Sequence, residues 1–178
     1  VSELEKLAVS SGKGEPIRRR DVVELTSSSR SVLAWDLTDA FGRKKLGLAL
    51  ETLRRLVFQK ESPIGLVILL HSRIRDLMVY REALDKGWLQ ERKGYRGTSY
   101  EWTALPAEAE VRLAQEFGKD PRATHPFRVG VLAGQAKLFS QKDLRRCQLA
   151  AADAHRKMVS SRDPQPMILE LLLVKLLA

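Results

Sequence analysis

The chain has 178 residues, of which 44% are hydrophobic and 30% charged, enough for one good core or for one domain and a piece of another. Its single cysteine, Cys147, excludes an internal disulfide and fits a reducing, cytosolic setting. The longest near-apolar run, 167–178, is interrupted by Glu170 and Lys175 and is too short to span a bilayer. Net charge is +9, from 31 basic and 22 acidic residues, with most of the excess after residue 126. A basic surface raises the odds of a nucleic-acid neighbour, although a merely solvated basic face fits it equally well. Leucine and alanine are abundant while valine and isoleucine are sparse, which favours helices. A start at Val1, with no methionine and no signal-like leader, reads as a cut point.

Residues 1–11 read as the end of an amphipathic helix, with Val1, Leu4, Leu7 and Ala8 on one side and Gly12 and Gly14 as its stop. Ile17 to Ser29 reads as a short second helix. Arg18 stands where a cap is expected, and Asp21 offsets this through the helix dipole. The serines at 27–29 and 31 mark a joint. WDLTDAF (35–41) reads as a short helical turn with Asp36 as cap and Trp35 and Phe41 as apolar anchors. Arg43 to Gln59 carries the stripe Leu46, Leu50, Leu53, Leu56 and Val57, with Glu51, Arg54 and Arg55 facing away. Ser62 and Pro63 supply a cap and a first-turn proline for the next helix. Ile64 to Leu70 is apolar all round and is expected to be deeply buried. Gly87 stops that helix. Residues 88–105 lack a clean period and are expected to form a loop or irregular insertion; no strand alternation of useful length is apparent. Pro106 opens a helix to Phe117, ended by Gly118, and Pro126 opens another to about Leu138. Ser140 and Asp143 fit a capping box, with Phe139 and Leu144 as the hydrophobic staple, for a helix to about Ser160. Asp163-Pro164 caps a final helix whose leucines leave almost no polar face, so it is expected to be the central core helix.

Reactive chemistry is sparse. Ser11-Gly12-Lys13-Gly14 is too short for a phosphate loop and follows a helix instead of a strand. His71, His125 and His155 are far apart and, with Cys147, give no convergent ligand spacing for a metal. Cys147 reads as a small buried hydrophobe. Asp36 and Asp39 lie close together, yet both suit the first turn of a helix. No catalytic residue, cofactor site or metal site is assigned. In the insertion, Trp88, Tyr95, Tyr100 and Trp102 alternate with Arg92, Lys93 and Arg96. Aromatics can stack on bases while cations hold phosphates. The same rings can instead pin a long loop onto the helices, and Glu91 and Glu101 cancel part of the charge. Gly130 and Gly134, four apart in a helix, allow another backbone to approach, from within the chain or from a partner.

The order and spacing of several strings resemble one family, the delta subunit of the bacterial DNA polymerase III clamp loader. These are SELEKLA (2–8), IRRRDVVEL (17–25), WDLTDAF (35–41), the run from 46 to 80, HPFRVGVLAGQAKLFSQKDLRRCQLAAADAHRKM (125–158) and PMILELLLVKLL (166–177). The related gamma/tau subunits would carry a lid string with glycine and arginine followed by aspartate and alanine, which is missing near residues 1–10. The resemblance implies an all-α fold. A helical remnant of an AAA+-type lid is expected over 1–33, followed by a helical-bundle collar over 34–178 with the insertion at 88–105. It also implies a non-catalytic, cytoplasmic subunit without a working ATP site. Its collar would join delta prime and gamma/tau in support of loading the sliding clamp onto DNA. Contact with the clamp itself would lie in an N-terminal domain that this sequence lacks. The departures are the long aromatic insertion, Arg18, and the two helical glycines. Under this reading the partner surface is expected around Arg145, Arg146, Arg156 and Lys157. The rival reading is a helical nucleic-acid-binding module using Trp88, Arg92, Lys93, Arg96 and Trp102.

Overall fold

The computed structural model describes residues 33–94, 97–117 and 120–178. The expected helices within 1–29, and with them the lid remnant, lie outside the described residues, as do Tyr95, Arg96 and Gly118. The fold is all-α with one small exception. Helix α1 runs through residues 33–42. It is followed by α2 (Leu46–Phe58), α3 (Pro63–Asp85), strands β1 (Leu89–Gly94) and β2 (Gly97–Trp102), and α4 (Ala107–Phe117). After a 3-10 turn at Pro121–Ala123 come α5 (Pro126–Ala136), α6 (Gln141–Ser160) and α7 (Gln165–Leu177).

Local signals account for most of these boundaries. The Ser62 hydroxyl accepts from the Gly65 amide and Pro63 occupies the first turn of α3. Ser140 and Asp143 form a reciprocal capping box at α6. His125, next to the first-turn Pro126, caps α5 by accepting from the Phe127 amide at Nδ1. Two expected caps do not form. Asp36 lies inside α1, which is longer than the 35–41 turn expected. At α7 the Asp163 amide donates to Ser161 Oγ, and Pro164 is the N-cap with no side-chain bond. Helices α1 and α2 end on left-handed lysines, Lys44 (φ 54°) and Lys60 (φ 60°). At each end the next amide reaches back to a carbonyl five residues earlier, Lys45 to Ala40 and Glu61 to Leu56. That termination usually employs glycine.

The segment 88–105 is not irregular. Leu89–Gly94 pairs antiparallel with Gly97–Trp102, Leu89 opposite Trp102 and Gly94 opposite Gly97. Leu89, Tyr100 and Trp102 face the helices while Gln90, Ser99 and Glu101 face outward. This is the period-two pattern of a half-buried hairpin. Gly97, at φ 114°, sits in backbone space that other residues rarely adopt.

The central element is α3, not the final helix. It packs against α5, α6, α7 and β1, and Leu66, Val67, Leu70, Ile74, Leu77 and Ala83 are buried along it. Ile68 and Leu69 are exposed, so the Ile64–Leu70 stretch is not buried all round. Helix α7 lies on one side against α2, α3 and α6. It buries only Ile168, Leu169, Leu172 and Leu173.

Helix α1 joins this bundle through an apolar stripe, Leu33, Leu37, Ala40 and Phe41, with Phe41 stacked on Phe139 at 5.7 Å between centroids. A buried polar network fixes its register. Arg73, 6% exposed, donates from Nη1 to Gln135 Oε1 and from Nη2 to Thr38 Oγ1, each at 3.0 Å. Thr38 donates onward to the Trp35 carbonyl at 2.9 Å. Gln135 Nε2 donates to Asp39 Oδ1 at 2.6 Å, and Asp39 also pairs with Arg43. Burial pulls the Arg73 pKa below its ordinary value, with nearby Arg128 adding to the fall and Asp39 and Asp76 opposing it.

Candidate functional site

The expected partner residues share one outer face. Arg145 and Arg156 are eleven residues apart on α6, as are Arg146 and Lys157, so each pair nearly eclipses after three turns. All four are exposed. Arg146 pairs with Asp143 at 3.2 Å; Lys157 and Arg156 converge on Asp153 at 3.1 and 4.0 Å. Arg145 makes no ion pair among the described residues. These i,i+3 and i,i+4 pairs are solvent-exposed and contribute little to stability, leaving the cations available to another surface.

The hairpin residues are placed differently. Trp102 meets Tyr80 edge-to-face at 5.8 Å, and Trp88 lies beneath the Lys86 ammonium at 4.5 Å; both rings pack against the core. The indole N–H of Trp102 is buried without a partner. Arg92 pairs with Glu101 at 3.3 Å, and Glu91 accepts from Lys137 at 2.6 Å, tying the hairpin to the end of α5. That contact holds the Glu91 carboxyl below its ordinary range. Lys93 is exposed, and Arg96 lies outside the described residues. Trp88 and Trp102 are thus partly buried against the helices and anchor the hairpin.

No group of three or more His, Cys, Asp or Glu side chains able to hold a metal occurs among the described residues. Asp36 is exposed, and Asp39 is committed to Gln135 and Arg43. Cys147 is buried, and desolvation pushes its thiol pKa up. No helix among the described residues is long and apolar enough to cross a membrane.

Sequence reading missed an apolar surface on α7, where Met167, Leu171 and Val174 remain 45%, 60% and 41% exposed; Leu149 on α6 is 72% exposed. The signal was present: α7 has almost no polar face to give to water. A helix apolar on every side needs cover on every side.

The described residues form a helical bundle with an apolar and cationic outer face and hold no cluster of potential metal ligands. Comparison with known proteins places this bundle beside one family. Residues 33–93 match the family described as DNA polymerase III delta subunit, C-terminal domain. Over 177 residues the chain is 27% identical to DNA polymerase III subunit delta of Bacillus subtilis (strain 168), covering 98% of this chain and 43% of that protein. A solved structure of the Bacillus subtilis DNA clamp loader delta protein aligns with 98% of this chain and 44% of its own, at a TM-score of 0.60 and 23% identity, a likeness in fold. The resemblance to delta subunits is thus upheld. The chain spans less than half the length of these relatives.

Proposed function

We propose that this chain is a non-catalytic part of a clamp-loader delta subunit. On this reading residues 34–178 are the collar, which assembles with delta prime and gamma/tau subunits in the bacterial cytoplasm and so supports loading of the sliding clamp onto DNA during replication. Residues 1–33 are then the end of the lid. Contact with the clamp belongs to the portion of the relatives that this chain does not cover. The observation that carries the proposal is the match to a delta subunit across 98% of the chain, reinforced by a basic outer face on α6. Interface energy in such a module comes from a few apolar and arginine anchors surrounded by near-neutral contacts.

Co-purification with delta prime and gamma/tau is the test. The wild-type chain is expected to be retained by the partner subunits. Replacing Arg145 and Arg156 with glutamate is expected to weaken retention while leaving helicity unchanged. A wild-type chain that passes through unretained at micromolar concentration would sink the reading. Deleting 126–178 would be a poor test, because α5, α6 and α7 all contribute to the core.

A further inference from the structure

We propose that the seam between α6 and α7 is a docking trough for an amphipathic helix of another polypeptide, one whose apolar stripe is flanked by carboxylates. This rests on the assembly role above and names the surface and the chemistry of its occupant. Met167, Leu171 and Val174 lie at i, i+4 and i+7 along α7 and form one exposed apolar stripe. Two depressions meet along the seam and share Ala150, Asp153 and Lys175. The larger, of about 670 Å³, has Phe139, Cys147 and Leu176 in its lining. The smaller, of about 190 Å³, reaches Met167 and Leu171. Adjoining through the three residues they share, they run along the seam where an amphipathic helix could lay its apolar face.

Charge selects the occupant. Two of the trough's carboxylates are already engaged by its own chain. Asp143 accepts from Ser140 and Arg146, and Asp153 from Lys157. Asp163 stands at the far end. Lys44, whose Nζ sits 4.5 Å above the Phe139 ring, and Lys175 make no ion pair among the described residues; they act only at longer range, Lys44 on Asp143 and Lys175 on Asp153. Two cations thus flank an apolar floor without a direct ion pair, beside carboxylates that Ser140, Arg146 and Lys157 already engage. A second copy of this chain is a poor occupant. Residues 141–178 carry seven Lys or Arg against four Asp or Glu, so self-association would set two basic surfaces face to face.

The test uses the full chain and two synthetic amphipathic helices with leucines at i, i+4 and i+7, one flanked by glutamates and one by lysines. Fluorescence anisotropy is expected to show the glutamate peptide binding about tenfold or more tightly than the lysine peptide, a difference within reach of a few charge pairs. Leu171→Asp, at an exposed position, is expected to abolish binding with the circular dichroism spectrum unchanged. Lys175→Glu, which leaves the apolar floor intact, is expected to narrow the preference. Equal binding of both peptides, or full binding to a folded Leu171→Asp chain, overturns the trough. So does a homodimer in sedimentation equilibrium that Leu171→Asp dissolves. Capture of clamp-loader subunits by wild type and both variants alike removes the trough and leaves the assembly role standing. Glutamate-selective peptide binding without capture of any such subunit does the reverse.

Discussion

Arg73 is a buried cation without a direct carboxylate partner, its charge shared through Gln135 with Asp39. Truncating it leaves Thr38 and Gln135 facing an empty space with unmet hydrogen bonds. Arg73→Met is therefore expected to cost about 2–3 kcal/mol in urea denaturation, the usual penalty for stranding buried polar groups. Arg73→Lys is not expected to rescue it, since a point ammonium cannot reproduce the fork that reaches two acceptors on different helices. Cys147 invites a second measurement. Its thiol is 4% exposed and its pKa is raised by burial. Ellman's reagent is expected to react with it at the rate of unfolding in native buffer and at once in denaturant; fast native labelling would contradict the burial. The sequence indicated this cysteine as a small buried hydrophobe among Leu144, Leu149 and Ala150; Leu144 is buried with it, while Leu149 faces outward. Arg73 was not legible, since nothing in a single sequence shows that an arginine on an apolar helix finds acceptors 35 and 62 residues away.

Among the elements, α6 has the best-defined start. Ser140→Ala is expected to destabilise by about 1 kcal/mol through loss of the cap. The hydrogen bonds from Ser140 hold the Asp143 carboxyl below its ordinary range. A carboxylate depressed by folding adds stability above its unfolded pKa and loses it as pH falls through the folded value. The gap between wild type and Ser140→Ala is accordingly expected to shrink in acid, measured by chemical denaturation at neutral and low pH. At the end of α2, Lys60 occupies left-handed backbone space that costs an L-residue energy and glycine almost none. Lys60→Gly is expected to stabilise by about 0.5–1 kcal/mol, read as a rise in Tm. The starts of α3 and α6 were legible because the Ser62 and Ser140 caps act locally, on residues three positions along. The hairpin was not. β1 contributes one deeply buried residue, Leu89, and its partner signal, Tyr100 and Trp102 at spacing two, sits across a turn. The tell-tale was the glycine pair, Gly94 and Gly97, bracketing that turn.

For the whole molecule, the organising fact is that α3 occupies the centre and α7 the flank. Leu70→Ala on α3 is expected to cost about 3 kcal/mol, as fully enclosed leucines do, whereas Leu171→Ala on α7 is expected to change stability by less than about 0.5 kcal/mol. Amide exchange should agree, with the midsection of α3 the slowest to exchange. The contrast explains why composition misassigned the centre. An all-leucine face must be covered, yet the sequence does not say whether the cover is another part of the same chain or a separate molecule. The all-helical class was legible from propensity and period. The outer face became visible only once the intramolecular contacts had been subtracted.

The meeting of α1 with α5 carries one more implication. A methyl group at Gly42 would fall on the amide of Gln135, which cannot swing aside without releasing both Arg73 and Asp39. In a saturation library, position 42 should therefore reject even alanine while position 135 holds glutamine. A shorter side chain at 135 should permit it. Sites 93 residues apart along the chain would then drift as a pair, and epistasis between them would report a helix contact without any coordinates.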